Sequence, residues 1–346
     1  MANMSEYERA GGTESRGARP SGLIDSQGRS IDYVRISITD RCNFRCAHCM
    51  PYEGLPFIPH TKILSYEDIF FLVGILASLG IVHYKITGGE PLCRKGAMGF
   101  IRDLAAFPGV GDVSLTTNGS FAGKYLEKLA AAGVGAVNFS CNAFSPEAFG
   151  RMTRSGIRPA AIRENMEKAA ALGLRVKINT VPIRDHNEAE LLPLASFALE
   201  RGYHIRFIEL MPIGSGQKLR GMPLSEVQGM LEREFGPLCA VERRTGNGPA
   251  VMHTVKGYPG LVGFIAALSG RFCSQCNRVR LTSTGFLKTC LCHDAGVDLK
   301  EALARHATEM ELRQLIVAAA NSKPDGHTFF FSESAEGRFF MNAVGG

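Results

Sequence analysis

The sequence predicts an α/β protein: an incomplete (βα)6 barrel of parallel strands followed by a smaller C-terminal α+β domain. Three observations predict it. Short apolar runs of strand character, at 33–38, 82–87, 112–117, 135–140, 174–180 and 203–209, alternate with segments of helical periodicity. Such alternation places parallel strands inside and helices outside. Gly109, Gly133 and Gly173 fall where each helix would hand over to the next strand. Polar or glycine residues recur at the carboxyl end of strand after strand, where parallel α/β folds gather their chemistry.

Residues 1–22 are polar and lack the apolar centre of a signal peptide, so they read as a flexible tail of a cytoplasmic protein. The barrel is expected over 23–212. Its first strand runs into Cys42-Asn43-Phe44-Arg45-Cys46-Ala47-His48-Cys49. Thiolates ligate iron–sulfur clusters. Three on one loop would leave the fourth iron of a cubane open, and an open metal position is where substrate chemistry happens. Two other readings stand beside this one: zinc with His48 as fourth ligand, and one buried helix face. Next, Ser65-Tyr66-Glu67-Asp68 resembles a capping box and opens the apolar stripe Ile69, Leu72, Val73, Leu76, Leu79, which Gly80 ends. Further helices are expected near 97–107, 121–132, 159–172 and 188–201.

The second strand ends in Gly88-Gly89-Glu90-Pro91. Alone this is a tight βα turn; one unit after the cysteine loop it gains weight. Thr116-Thr117-Asn118-Gly119 ends the third strand and Ser140 the fourth. Lys177 and Asn179 share a face of the fifth, and Arg206, Glu209 and Met211 lie at the end of the sixth. After residue 212 the rhythm stops. Ile213 to Arg220 reads as a linker, and 213–346 as the smaller domain, with short antiparallel strands near 248–265 and an amphipathic helix near 298–320. A second triplet, Cys273, Cys276 and Cys290, frames Arg278 and Arg280, whose forks suit phosphate. Cys292 or His293 could complete a zinc site there.

Composition narrows the class. Ten cysteines in such a chain argue for metal or redox use rather than disulfides. Hydrophobic residues make up 45% of the chain, enough for a sizeable core. No apolar run reaches membrane-span length. The net charge of +6 is scattered, which suits a small anionic substrate better than a nucleic-acid groove.

The cysteine loop and the Gly-Gly-Glu-Pro turn on a βα scaffold resemble radical S-adenosylmethionine (SAM) enzymes. The second triplet with Asn277-Arg278-Val279-Arg280, the phrase Arg206 to Met211 and the Gly345-Gly346 terminus narrow the resemblance to the MoaA family, the GTP 3′,8-cyclases of molybdenum cofactor biosynthesis. It covers about Leu23 to Gly346. It implies a [4Fe–4S] cluster on Cys42, Cys46 and Cys49 whose open iron chelates SAM. Reductive cleavage would give a 5′-deoxyadenosyl radical that takes the ribose 3′ hydrogen of GTP. The C3′ radical then attacks C8, forming 3′,8-cyclo-7,8-dihydro-GTP. A second cluster on Cys273, Cys276 and Cys290, in the C-terminal domain, would bind the purine. By position His48, Gly89, Ser140 and Met211 match SAM contacts. Arg35, Lys85, Thr116, Lys177, Arg278, Val279 and Arg280 match GTP contacts, and the Gly345-Gly346 tail is expected to enter the site. A homodimer, an unidentified electron donor and hand-over to the cyclic pyranopterin monophosphate synthase are further implied.

The chain departs from the family pattern at four kinds of position. His48 stands where Tyr is usual, Lys85 where Arg is usual, Asn142 and Ala143 where Asp and Ser are usual, and Gly96 where Asp is usual. Two competing functions follow from the same residues: a radical SAM enzyme acting on a peptide or another nucleotide, and a zinc-binding interaction protein without catalysis.

Overall fold

The computed structural model describes residues 22–241, 246–270, 272–329 and 340–344. The tail expected over 1–22 therefore lies almost wholly outside the described residues, as do Gly345 and Gly346.

A short antiparallel pair, β1 (Leu23–Ile24) and β2 (Ser30–Ile31), precedes the βα repeat. The repeat runs β3 (Tyr33–Ser37), α1 (Tyr66–Ser78), β4 (His83–Thr87), α2 (Ala97–Ala105), β5 (Asp112–Thr117), α3 (Leu126–Ala131) and β6 (Ala136–Ser140). It continues through α4 (Pro146–Thr153), α5 (Pro159–Ala171), β7 (Arg175–Thr180), α6 (Leu191–Glu200) and β8 (His204–Ile208). Strands β3 to β8 pair in sequence order, all parallel. Every expected strand is present.

Local chemistry explains the helix ends. Ser65 and Asp68 form the anticipated capping box, each side chain taking the other's backbone N–H. This satisfies two of the orphan donors that open α1. The helix buries Ile69, Leu72, Val73, Ile75 and Leu76 against the sheet. Gly80 ends it at φ +88, and a Cβ there would stand 2.9 Å from Gly22 Cα. Only glycine fits both the left-handed backbone and that approach.

Three expectations change. The helix placed at 121–132 is a 3-10 turn, Ala122–Lys124, followed by the short α3. That placed at 298–320 is two helices, α8 (Leu299–Ala304) and α9 (Glu309–Asn321), the second opened by a Thr308–Glu311 capping box. Residues 214–218, expected as a linker, form a 3-10 turn around buried Gly216. Helices α4 and α7 (Leu224–Phe235) had not been anticipated.

The segment expected as a smaller C-terminal domain supplies strands to both edges of the same sheet. After α7 come β9 (Leu238–Ala240), β10 (Val251–Val255) and β11 (Leu261–Ile265); β11 is antiparallel to β10 but parallel to β8. At the other edge β12 (Arg278–Leu281) runs parallel to β3 and is extended by β13 (Phe286–Lys288) and β14 (Gly296–Asp298). The order is β14-β13-β12-β3-β4-β5-β6-β7-β8-β11-β10-β9. A last helix, α10 (Met341–Val344), follows. Among the described residues no helix is long and apolar enough to cross a membrane.

Candidate active site

One cavity of about 300 Å³ is bordered by both cysteine triplets and by a cluster of cations. The first triplet sits on the loop after β3. Its turn is closed by Cys49 N–H and Met50 N–H donating to Cys46 O at 2.9 and 3.1 Å. The end of α4 holds it in place. Arg45 N–H donates to Thr153 O and Ala47 N–H to Met152 O, each at 2.9 Å, while buried Phe44 packs edge-on against Phe149. Thus an unanticipated helix anchors the loop.

The Gly-Gly-Glu-Pro turn lies directly on this loop. Gly89 N–H donates to Thr39 O at 2.7 Å and Glu90 N–H to Arg41 O at 2.8 Å. A Cβ on Gly89 would come within 2.4 Å of Arg41 O, so the contact demands glycine. Fully buried Glu90 accepts from Leu92 N–H, Thr117 Oγ1 and Asn118 N–H at 2.7–3.1 Å. It thereby welds the ends of β4 and β5. Burial nevertheless pushes its carboxyl up to about 7. Asn118, one of its partners, also directs Nδ2 at Asn43 Oδ1 (2.9 Å) and toward Cys42 Sγ (3.8 Å).

The second triplet lies at the other end of the neighbouring strands, beside β12, which pairs directly with β3. Cys273 and Cys276 share a turn, with Cys276 N–H donating to Cys273 O at 3.1 Å, and Cys290 follows β13. Two side chains that sequence reasoning missed support it. Arg29, paired with Asp25 at 2.6 Å, donates to Cys273 O, Pro324 O and Lys323 O. Buried Lys323 donates to Arg278 O at 2.9 Å and Thr289 O at 2.5 Å. The carbonyl partners of Arg29 lie more than 240 residues away and those of Lys323 lie 45 and 34 away, so no local signal marks either side chain.

The thiols fit iron–sulfur centres. All ten cysteines are free, and six converge on one cavity from two loops. Burial pushes Cys42 up to about 12; hydrogen bonding to Cys49 and burial raise Cys46 further. Buried neutral thiols of this kind become thiolates when a metal supplies the charge. Cys276 ends below the ordinary thiol value, because Arg278 and Lys323 outweigh its burial.

His48, Gly89, Ser140 and Met211, the four matched to SAM, all border the cavity beside the first triplet. Of the seven matched to GTP, Arg35, Lys85, Thr116, Arg278 and Arg280 border it too. Val279 does not. Strand alternation turns its side chain into the core, where it is 1% exposed. Lys177 also stands outside the lining, beside Gly246. Arg206, read from sequence only as a polar strand end, joins the cations and donates to Asn138 Oδ1 at 2.5 Å. Arg206 Nε, Arg278 Nε, Thr116 Oγ1 and Asn179 Oδ1 are buried without a partner, a set of polar atoms waiting for a polar ligand.

The cations depress one another. Burial first, then Arg206, Arg35, Lys177 and Arg278, take the Lys85 ammonium well below its ordinary value. Lys177 falls to about 8 and Arg206 to about 10, mainly through burial. A lysine can shed its proton in such company and an arginine cannot, which gives Lys85 a physical reason to stand where a fork is usual.

The other departures are accommodated. Asn142 Oδ1 accepts from Val181 N–H at 2.8 Å, and buried Ala143 packs in the core. Gly96 caps α2 at φ +81. Cys292 borders the cavity, and His293 Nε2 lies 3.0 Å from Gly326 O. At the far end of the chain, Met341 and Asn342 border the cavity, with Asn342 Nδ2 donating to Asp40 O at 3.0 Å.

Comparison with known proteins agrees with this arrangement. Residues 36–198 match the radical SAM superfamily model, and 203–329 match the model described as Molybdenum Cofactor Synthesis C. A protein of Clostridium perfringens (strain 13 / Type A) named GTP 3′,8-cyclase is 38% identical over 324 residues, spanning 94% of this chain and 100% of its own. One of the same name from Moorella thermoacetica is 42% identical over 308 residues, 88% of this chain and 95% of its own. A SAM-bound structure of Streptococcus suis SuiB superposes with a TM-score of 0.59 at 13% identity, covering 84% of this chain and 68% of that one, a likeness of fold. The chain belongs to the radical SAM superfamily and, within it, to the GTP 3′,8-cyclase family.

Proposed function

We infer that this chain catalyses the radical SAM cyclisation of GTP to 3′,8-cyclo-7,8-dihydro-GTP, the step that opens molybdenum cofactor biosynthesis. The observation that carries the reading is a single cavity with thiol triplets on two loops and a buried cation cluster between them. An iron–sulfur centre on Cys42, Cys46 and Cys49, with SAM, supplies the one-electron start of a radical reaction, which no side chain here can provide.

The chain's own residues do the rest. The Gly88-Gly89 backbone and the cysteine loop form a close-walled seat for SAM, with His48, Ser140 and Met211 around it. Arg35, Lys85, Arg206, Arg278 and Arg280 neutralise a triphosphate, with Lys177 alongside. Cys273, Cys276 and Cys290 would hold a second cluster at the purine end. Burial of this whole set keeps water away and strengthens each electrostatic contact. The division into a barrel over 23–212 and a domain over 213–346, a cytoplasmic dimer, a separate electron donor and transfer of the product to the cyclic pyranopterin monophosphate synthase belong to the same reading.

Proton linkage tests the cation cluster. Free Lys177 titrates near 8 and Lys85 well below its ordinary value. A bound polyphosphate favours both charged forms and raises both pKa values. GTP binding at about pH 8.5 therefore takes up protons, and affinity falls as pH rises past about 8. Calorimetry in two buffers of different ionisation enthalpy measures this. Identical heats in both would contradict it.

A further inference from the structure

At the amino end of the barrel, neighbouring strand starts carry Asp32, His83 and Asp112. The register sets Tyr33 opposite His83 and His83 opposite Asp112, so the three groups form one row. His83 Nδ1 is hydrogen-bonded to Asp112 Oδ1, and His83 Nε2 lies 3.9 Å from Asp32 Oδ2. The hydrogen bond to Asp112 raises the imidazole pKa; burial opposes it, and the charges of Asp112 and Asp32 add to it. The Tyr33 ring stands 6.4 Å from the imidazole, and Lys177 on β7 is the cation that senses Asp112.

Two segments that wall the cavity are tied to this row. The Asn247 carboxamide lies 2.9 Å from His83 Nδ1 and 3.2 Å from Asp112 Oδ1, while its neighbours Gly248 and Pro249 border the cavity. On the other side Asn277 Nδ2 donates to Asp32 Oδ1 at 2.7 Å, one residue from Cys276. A Cβ on Gly246 would stand 3.1 Å from Lys177 Nζ, so this segment also presses on a cation of the site. The sheet itself is held by the backbone ladders of β3, β4 and β5, and the row is not needed for them.

We propose that Asp32, His83 and Asp112, gripping Asn247, are positioning residues: a clasp that seats segment 246–249 across the amino end of the barrel and shuts that end of the cavity. The proposal rests on the GTP reading above. Buried cations hold an anion strongly only while water is kept from them. A charged His83 on β4 stands between two carboxylates, Asp32 before β3 and Asp112 on β5. Asn247 Nδ2 is a donor, held by Asp112 Oδ1 rather than by the protonated Nδ1. Loss of the His83 charge leaves Asp32 and Asp112 uncompensated and so disturbs the carboxylate that grips Asn247. GTP affinity therefore falls as pH rises through the raised His83 pKa.

Asn247→Ala and His83→Ala test this in the full chain, prepared anaerobically with its clusters. Both are expected to raise KM for GTP about tenfold with kcat within about twofold. Iron content and GTP-independent SAM cleavage stay at the parent level. Backbone hydrogen exchange at 246–250, read without GTP, becomes faster in both. His83→Gln, which can still donate to one carboxylate, recovers part of the KM. The parent's KM climbs as pH rises through the raised His83 pKa, and that component is missing in His83→Ala. Unchanged KM and unchanged exchange in Asn247→Ala would overturn the clasp, even if His83→Ala lowered Tm. A parent that ignores GTP would instead overturn the substrate reading, and the exchange measurement separates the two failures.

Discussion

Cys46→Ala is expected to abolish SAM cleavage while leaving the fold intact. The turn that carries Cys46 is closed by backbone bonds, from Cys49 N–H and Met50 N–H to Cys46 O, and anchored by Arg45 and Ala47 on the end of α4. Alanine keeps all of them. What it removes is one of the three thiols proposed to hold the first cluster. Iron content should fall from about eight to about four per chain, the loss of one cubane of two. 5′-Deoxyadenosine formation should drop to background. Anaerobic iron analysis with a chromatographic assay of the nucleoside checks both. A variant forming it at the parent rate would show that the loop is not the radical-generating centre. A colourless parent holding zinc would favour the interaction-protein alternative.

Arg206→Met should separate substrate binding from stability. Arg206 is buried, donates to Asn138 Oδ1 and repels Arg35. Methionine leaves Asn138 Oδ1 without that donor, at a cost of about 1–3 kcal/mol. It also removes a desolvated like charge, and hydrophobic replacement of buried charge is often neutral or stabilising by about 1–4 kcal/mol. The two terms oppose each other, so Tm should move little. GTP binding has no such compensation. Losing one partner of a buried charge pair costs about 2–5 kcal/mol, so KM should rise roughly 30-fold or more. Steady-state kinetics beside thermal unfolding checks the split. A large drop in Tm with KM unchanged would make Arg206 a structural residue and remove it from the site.

Strand positions were the most legible part of this chain. Tyr33 to Ser37 and Ala136 to Ser140 are short, mostly apolar runs, with a polar residue, Arg35 or Asn138, at the middle of the strand. The α1 start was legible because Ser65 and Asp68 sit at capping-box spacing. Helices α4 and α7 were missed although their apolar faces are periodic; interior glycine is not the reason, since α1 and α2, which were read, hold Gly74 and Gly99. Cluster cysteines were visible because their spacing is local. Arg29 and Lys323 were invisible for the opposite reason: Arg29 meets Cys273, Lys323 and Pro324, and Lys323 meets Arg278 and Thr289, partners that only the folded chain brings near. Val279, matched by position, leaves only its backbone to meet a ligand. Its place on β12, between two cavity-facing arginines, puts its side chain in the core, and alternation alone would have said so. The Asp32–His83–Asp112 row likewise depends on register, which single-strand patterns do not reveal.

The most direct test of the central claim compares 5′-deoxyadenosine formation with and without GTP, using anaerobically reconstituted protein, SAM and a reductant. Strong stimulation by GTP, together with a cyclised GTP product, is the predicted result. SAM cleavage that proceeds with no response to GTP would contradict it: the radical machinery would stand, the substrate would be another molecule, and the cation cluster around Lys85 would need a different ligand.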